Sequence, residues 1–254
     1  PRPAEKGGSG TTRSEDGVRI EKLLHLSPVF EAMEECGMAL CLHGEVPDDA
    51  VDGLESEEAF LPILEGLVDR FPHLRIVLEH VSSAAGVACV ERLPITVAAT
   101  ITAHHLVLTH NDVIGYSAWS KGFMRPHHYC RPIAKLSRDR VALRKAATDG
   151  NPKFFFGSDS APHSHRVKEA AKVCAGVFTA PVALPVLTQV FEKEGALDRL
   201  EAFTSVFGAC FYRLPFNDGT VTLKKTPWTV PELFESIVSL YASQKLAWQV
   251  VSRE

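Results

Sequence analysis

Three short apolar runs stand out along the chain: Met38-Ala39-Leu40-Cys41-Leu42, Leu74-Arg75-Ile76-Val77-Leu78 and Lys153-Phe154-Phe155-Phe156. Each is rich in β-branched, aliphatic or aromatic residues and shows little polar alternation, which predicts strands of a parallel sheet covered on both faces. From about Ile20 to Cys36 the apolar positions Leu23, Leu24, Leu26, Val29, Phe30 and Met33 recur at helical intervals, and Gly37 follows as a stop. A second helix is predicted from about Glu57 to Arg70, with Phe60, Leu61, Ile63, Leu64 and Leu67 facing inward and Phe71-Pro72 beyond its end. A last helix is predicted from about Glu232 to Lys245, presenting Leu233, Ile237, Leu240 and Tyr241 to a core or a second subunit. Strands alternating with helices predict an α/β fold.

The polar residues that follow the strands carry the candidate chemistry. His43-Gly44-Glu45 follows the first run, Glu79-His80 the second, and Gly157-Ser158-Asp159-Ser160-Ala161-Pro162-His163 the third. In parallel barrels the side chains at the C-terminal ends of several strands converge on one site. A lone histidine there is ordinarily a hydrogen-bonded loop residue, but three strand ends together deliver His43, His80 and Asp159. Imidazole and carboxylate suit zinc and leave a coordination position for water. The neighbouring pairs His127-His128 and His104-His105 are read as pocket and strand-end residues that do not bind metal.

Composition narrows the classes. With 254 residues, 45% hydrophobic and 23% charged, the chain has the makeup of one ordinary globular domain. A net charge of -4 without a basic, aromatic-interleaved cluster argues against a nucleic-acid partner. No apolar run reaches the length of a membrane span and the start of the chain is polar, so a cytoplasmic location is expected. Six scattered cysteines without Cys-x-x-Cys spacing are read as reduced thiols.

The motifs Leu42-His43-Gly44-Glu45-Val46, Leu78-Glu79-His80-Val81-Ser82 and Gly157-Ser158-Asp159-Ser160-Ala161-Pro162-His163 resemble those of the dihydroorotases, of the shorter, monofunctional type, in the amidohydrolase superfamily. Ala99-Thr100-Ile101-Thr102, Tyr129-Cys130-Arg131-Pro132 and Cys174-Ala175-Gly176 extend the likeness, which runs in the family's order from Thr11 to about Asp218. The resemblance implies a TIM-barrel-type (β/α)8 fold and zinc-dependent interconversion of N-carbamoyl-L-aspartate and L-dihydroorotate, a step of pyrimidine synthesis. It implies that His43 and His80 bind one zinc. Asp159 would bind a second and serve as the acid/base. His163 and the backbone around Arg131 and Ala175 would hold the substrate, while the side chain of Arg131 departs from the family and is assigned no role. Thr11 and Thr12 match a loop that closes over the ring in relatives. The complete protein is expected to be a homodimer acting on a small molecule.

The family's His-x-His pair, the arginine that follows it and its bridging lysine have no match before His43. The resemblance therefore places the strand candidates, at about 38–43, 75–80, 96–102 and 153–158, as the last four of eight. Residues 1–254 are expected to form a single domain that is the C-terminal part of a barrel, with 1–16 a flexible segment including the possible active-site loop. Little activity is expected of the chain as it stands, and a catalytically inactive subunit or fragment with an assembly role is the alternative. A hydantoin- or allantoin-type cyclic amidohydrolase would share the metals but not the segments at Cys130 and Cys174.

Overall fold

The expected strands pair in parallel and in sequence order, as seen in a computed structural model that describes residues 23–115 and 124–253. A 3-10 turn at Leu24–Leu26 leads into α1 (Ser27–Cys36), which ends at Gly37 with a left-handed φ of 69°. There follow β1 (Ala39–Leu42), α2 (Leu61–Arg70) and β2 (Arg75–Leu78). Next come α3 (Ala84–Arg92), β3 (Val97–Ile101), a short α4 (His110–Ile114), α5 (Ser137–Thr148) and β4 (Phe154–Phe156). The sheet order is β1-β2-β3-β4, with Leu42 beside Leu78, Leu78 beside Ala99 and Ile101 beside Phe156. This register sets all four C-terminal ends along one rim, the arrangement of a partial barrel.

Both sheet faces are covered, which is why the strands read as unbroken apolar runs. Leu42, Ile76, Leu78, Ala99 and Phe154 enter the main core, to which Phe60, Leu64 and Leu67 also belong. The alternate positions Val77, Ala98 and Phe155 pack with Cys41, Phe207, Phe211 and Tyr212. Of the apolar positions spaced at helical intervals along α1, Phe30 is buried while Val29 beside it is 51% exposed.

After β4 come the one-turn α6 (His165–Lys168), α7 (Ala183–Lys193), and a π-helical stretch Ala202–Val206 running into α8 (Phe207–Tyr212). Strand β5 (Val221–Lys224) pairs antiparallel with β8 (Gln249–Arg253), and β6 (Trp228–Thr229) with β7 (Lys245–Leu246). The helix expected from about Glu232 to Lys245 does not form. Glu235, Tyr241 and Ser243 take left-handed φ values of 58°, 63° and 60°, which break any helix. The segment is held by long-range bonds instead: Leu240 N–H donates to the Phe178 carbonyl and Ser243 N–H to that of Val230. No helix among the described residues is long and apolar enough to cross a membrane.

Candidate active site

The rim of the sheet is shaped by two close approaches that only glycine permits. A methyl group added at Gly44 would lie 2.5 Å from Cδ1 of Leu78, and one at Gly157 would lie 2.6 Å from Cβ of Thr100. Glycine at 44 lets the chain turn His43 and Glu45 toward the neighbouring strand end. Glycine at 157 lets β4 run close along β3 before the chain reaches Asp159.

His43 and His80 meet at the ends of β1 and β2. Nδ1 of His43 lies 3.1 Å from Nε2 of His80, with the rings edge to face at 71°. Nε2 of His43 points the other way, 2.8 Å from Oε2 of Glu45. Glu45 is buried and accepts on that same oxygen from Nε of Arg131 at 3.0 Å, and on Oε1 from the Ser56 hydroxyl at 2.5 Å. Burial alone would raise its carboxyl, but His43, Arg131 and Ser56 outweigh it and hold Glu45 down at about 2. The side chain of Arg131, which sequence left without a role, therefore secures the carboxylate that orients His43.

His80 is fixed from its backbone. It adopts φ 41°, and its N–H donates to Oγ1 of Thr100 at 2.6 Å. The following Ser82 and Ser83 each give an N–H and a hydroxyl to the buried carboxylate of Glu57, at 2.6–2.8 Å. Burial drives the His80 imidazole well below its ordinary range, so it is neutral, as a metal ligand must be. Among the described residues its buried Nδ1 has no partner.

Asp159 follows β4 with φ 34°. Its neighbour Ser160 pins this turn, because the Ser160 hydroxyl accepts from the N–H groups of Thr179 and Ala180 at 3.0 and 2.9 Å. His163 reaches the second expected substrate segment directly, with Nε2 3.0 Å from the Ala175 carbonyl. Gly176 N–H donates to the Tyr129 carbonyl at 2.9 Å, joining the Ala175 segment to that of Arg131. Beneath both lies Lys168, buried, with Nζ donating to the carbonyls of Tyr129, Cys174 and Gly176 at 3.0, 2.8 and 2.7 Å. Burial lowers this ammonium to about 8.

Cys130 sits between the two groups. Burial pushes its thiol up to about 12, and the charges of Asp159 and Glu45 add to the rise while Lys168 opposes it. The thiol is thus an inert packing group among charges that surround the site. His104 and His105 are both buried after β3; His105 bonds Oγ1 of Thr102 and the Pro132 carbonyl, each at 2.9 Å.

The structure thus brings His43 and His80 into contact, and likewise His163 and Ala175, with Arg131 tied to the first pair through Glu45. Asp159 stands on the same rim. Thr11 and Thr12 lie outside the described residues. Sequence reasoning missed Glu45, Glu57 and Lys168 as supports. Glu45 had a signal, a carboxylate two residues after a strand-end histidine, but the serines bonded to Glu57 are remote in sequence, and Lys168 ties its near neighbours Cys174 and Gly176 to the distant Tyr129.

The chain matches known proteins along most of its length. It is 47% identical over 247 residues to a dihydroorotase of Shewanella denitrificans, covering 95% of this chain and 70% of the relative. A dihydroorotase of Photobacterium profundum is 45% identical over 246 residues, with the same two coverages. Among solved structures, dihydroorotase from Saccharomyces cerevisiae in complex with 5-fluoroorotic acid superposes with a TM-score of 0.86 at 38% identity, over 96% of this chain and 71% of that one. An L-hydantoinase from Arthrobacter aurescens superposes with a TM-score of 0.76 at 16% identity, over 94% of this chain and 60% of that one, a likeness of fold. No family model matches the chain. Identity near 45% across almost the whole chain places this chain in the dihydroorotase family of the amidohydrolase superfamily.

Proposed function

We propose that the chain serves the zinc-dependent interconversion of N-carbamoyl-L-aspartate and L-dihydroorotate, with His43 and His80 on one zinc and Asp159 on a second. The observation that carries this reading is the His43–His80 contact backed by Glu45. Two nitrogen ligands of a tetrahedral zinc, with bonds of about 2.0–2.1 Å, lie roughly 3.3 Å apart, and the two ring nitrogens here are 3.1 Å apart. A carboxylate on the far nitrogen of a ligating histidine is the usual outer support of such a site, and Glu45 occupies that place. The residues therefore fit the metal. When bound, zinc supplies Lewis-acid polarisation of the amide carbonyl and a water of lowered pKa.

The remaining work falls to the chain's own groups. In ring opening the Asp159 carboxylate takes a proton from the water as its oxygen bonds the amide carbon, and gives that proton to the ring nitrogen as the C–N bond breaks; ring closure moves the same proton in reverse. His163 and the main chain at Arg131 and Ala175 hold the substrate's carboxylate and ring amide. The hydrogen bond from His163 to Ala175 supports this, since it sets the two groups side by side.

We also propose that the chain alone turns over slowly. Only one histidine, His25, precedes His43, so the sequence offers no His-x-His pair on that side to complete the metal set. Asp159→Asn in the complete protein is the direct test of the acid/base role: turnover is lost in both directions while the thermal unfolding midpoint is kept. Substantial residual turnover would remove Asp159 from the mechanism.

A further inference from the structure

His127, His165 and Glu169 converge on the surface from two separate segments. His127 lies in the one-turn 3-10 helix Pro126–His128, and His165 opens α6. Nε2 of His127 is 3.0 Å from Oε1 of Glu169, and Nε2 of His165 is 3.1 Å from that same oxygen. The two rings stand 5.6 Å apart between centroids, tilted by 31°, and the three donor atoms lie within 4.8 Å of one another. The side chains are 16%, 54% and 46% exposed for His127, His165 and Glu169, so an ion from solvent can reach them.

Each segment is held by bonds that do not involve the three side chains. His165 N–H donates to the Ser236 carbonyl at 2.9 Å, and Lys168, next to Glu169, is anchored by its three carbonyl acceptors. Across from them, Tyr129 N–H donates to the Pro126 carbonyl at 3.1 Å, and Nδ1 of His128 bonds the Asp112 carbonyl at 3.0 Å. The donor atoms are thus presented on a preformed frame.

We propose that His127, His165 and Glu169 form a second, solvent-facing binding site for a first-row divalent cation such as Zn2+, separate from the His43–His80 pair. Two imidazoles and one carboxylate are a ligand set for zinc that leaves a position for water. In the empty site the Nε2–H groups of both histidines donate to Glu169. To bind the ion each ring carries its proton on Nδ1 and turns a lone pair on Nε2 inward. Each histidine nitrogen needs to move only a few tenths of an ångström from the Glu169 oxygen to reach the roughly 3.3 Å between tetrahedral zinc ligands, and the two nitrogens already lie within 4.8 Å of one another.

Titrating Zn2+ into the full chain and into His127→Ala, Glu169→Gln and His43→Ala, followed by calorimetry, tests the site. The original chain and His43→Ala both bind the equivalent that belongs to the triad. His127→Ala and Glu169→Gln bind that equivalent at least about tenfold more weakly. The proposal is overturned if both triad variants bind with the original stoichiometry and affinity, or if neither the original chain nor His43→Ala takes up an ion that they lose. The readout is metal uptake, so it is independent of whether the chain turns over dihydroorotate.

Discussion

Glu45 spends one oxygen on two partners, His43 and Arg131, and stays ionised despite burial because of them. Replacing it by glutamine leaves the volume but removes the charge that fixes the His43 ring. Zinc affinity of the Glu45→Gln chain should fall about 10- to 100-fold with its fold kept, measured by competition with a chelating dye; unaltered affinity would remove Glu45 as the orienting group. His105 makes a separate prediction. Burial holds it at about 4, against an ordinary 6.5, so the unfolded chain binds more protons than the native one between those values. Its contribution is intact above pH 6.5 and is lost as pH falls toward 4, reaching a cost of about 3 kcal/mol. Denaturant midpoints of the original chain should therefore drop across that window, and less so in His105→Gln; equal slopes would mean that His105 is not buried neutral.

Lys168 acts at the scale of the element, through segments it does not belong to. Its ammonium ties Tyr129 to Cys174 and Gly176, and so sets the backbone at Arg131 and Ala175 against one another. A substitution such as Lys168→Met removes three charge-assisted bonds and leaves three carbonyls to find new donors. Weakening of substrate binding should exceed loss of zinc: affinity for dihydroorotate falls at least about tenfold while metal content is unchanged, taking about 1.5–3 kcal/mol per charged bond as the scale of the loss. Lys168→Arg should restore part of the binding. Equal binding in Lys168→Met would show that the two segments keep their places without the clamp. Glu57 plays the corresponding part behind His80, gathering Ser82 and Ser83 at the start of α3.

Across the whole molecule, the legible features were those set by short-range pattern. Three of the four strands could be placed within a few residues because their two covered faces demand apolar side chains at successive positions, while β3 was placed by the family resemblance. His43, His80 and Asp159 could be singled out because strand ends of a parallel sheet share a rim. What could not be read depends on distant partners. The stretch from Glu232 to Lys245 carries apolar residues at helical intervals, yet Leu233 is 43% exposed and Leu240 is buried through its bond to Phe178. Periodicity is blind to the left-handed turns at Glu235, Tyr241 and Ser243. The same holds for Glu57, whose acceptor role depends on serines on the far side of α2 and β2. The central claim, that the rim gathered by β1, β2 and β4 holds metal, is tested by the zinc content of the purified chain beside that of His80→Ala. More zinc per molecule in the original chain than in His80→Ala, by the equivalent that the rim holds, is the result expected. Equal zinc in the two proteins would contradict it.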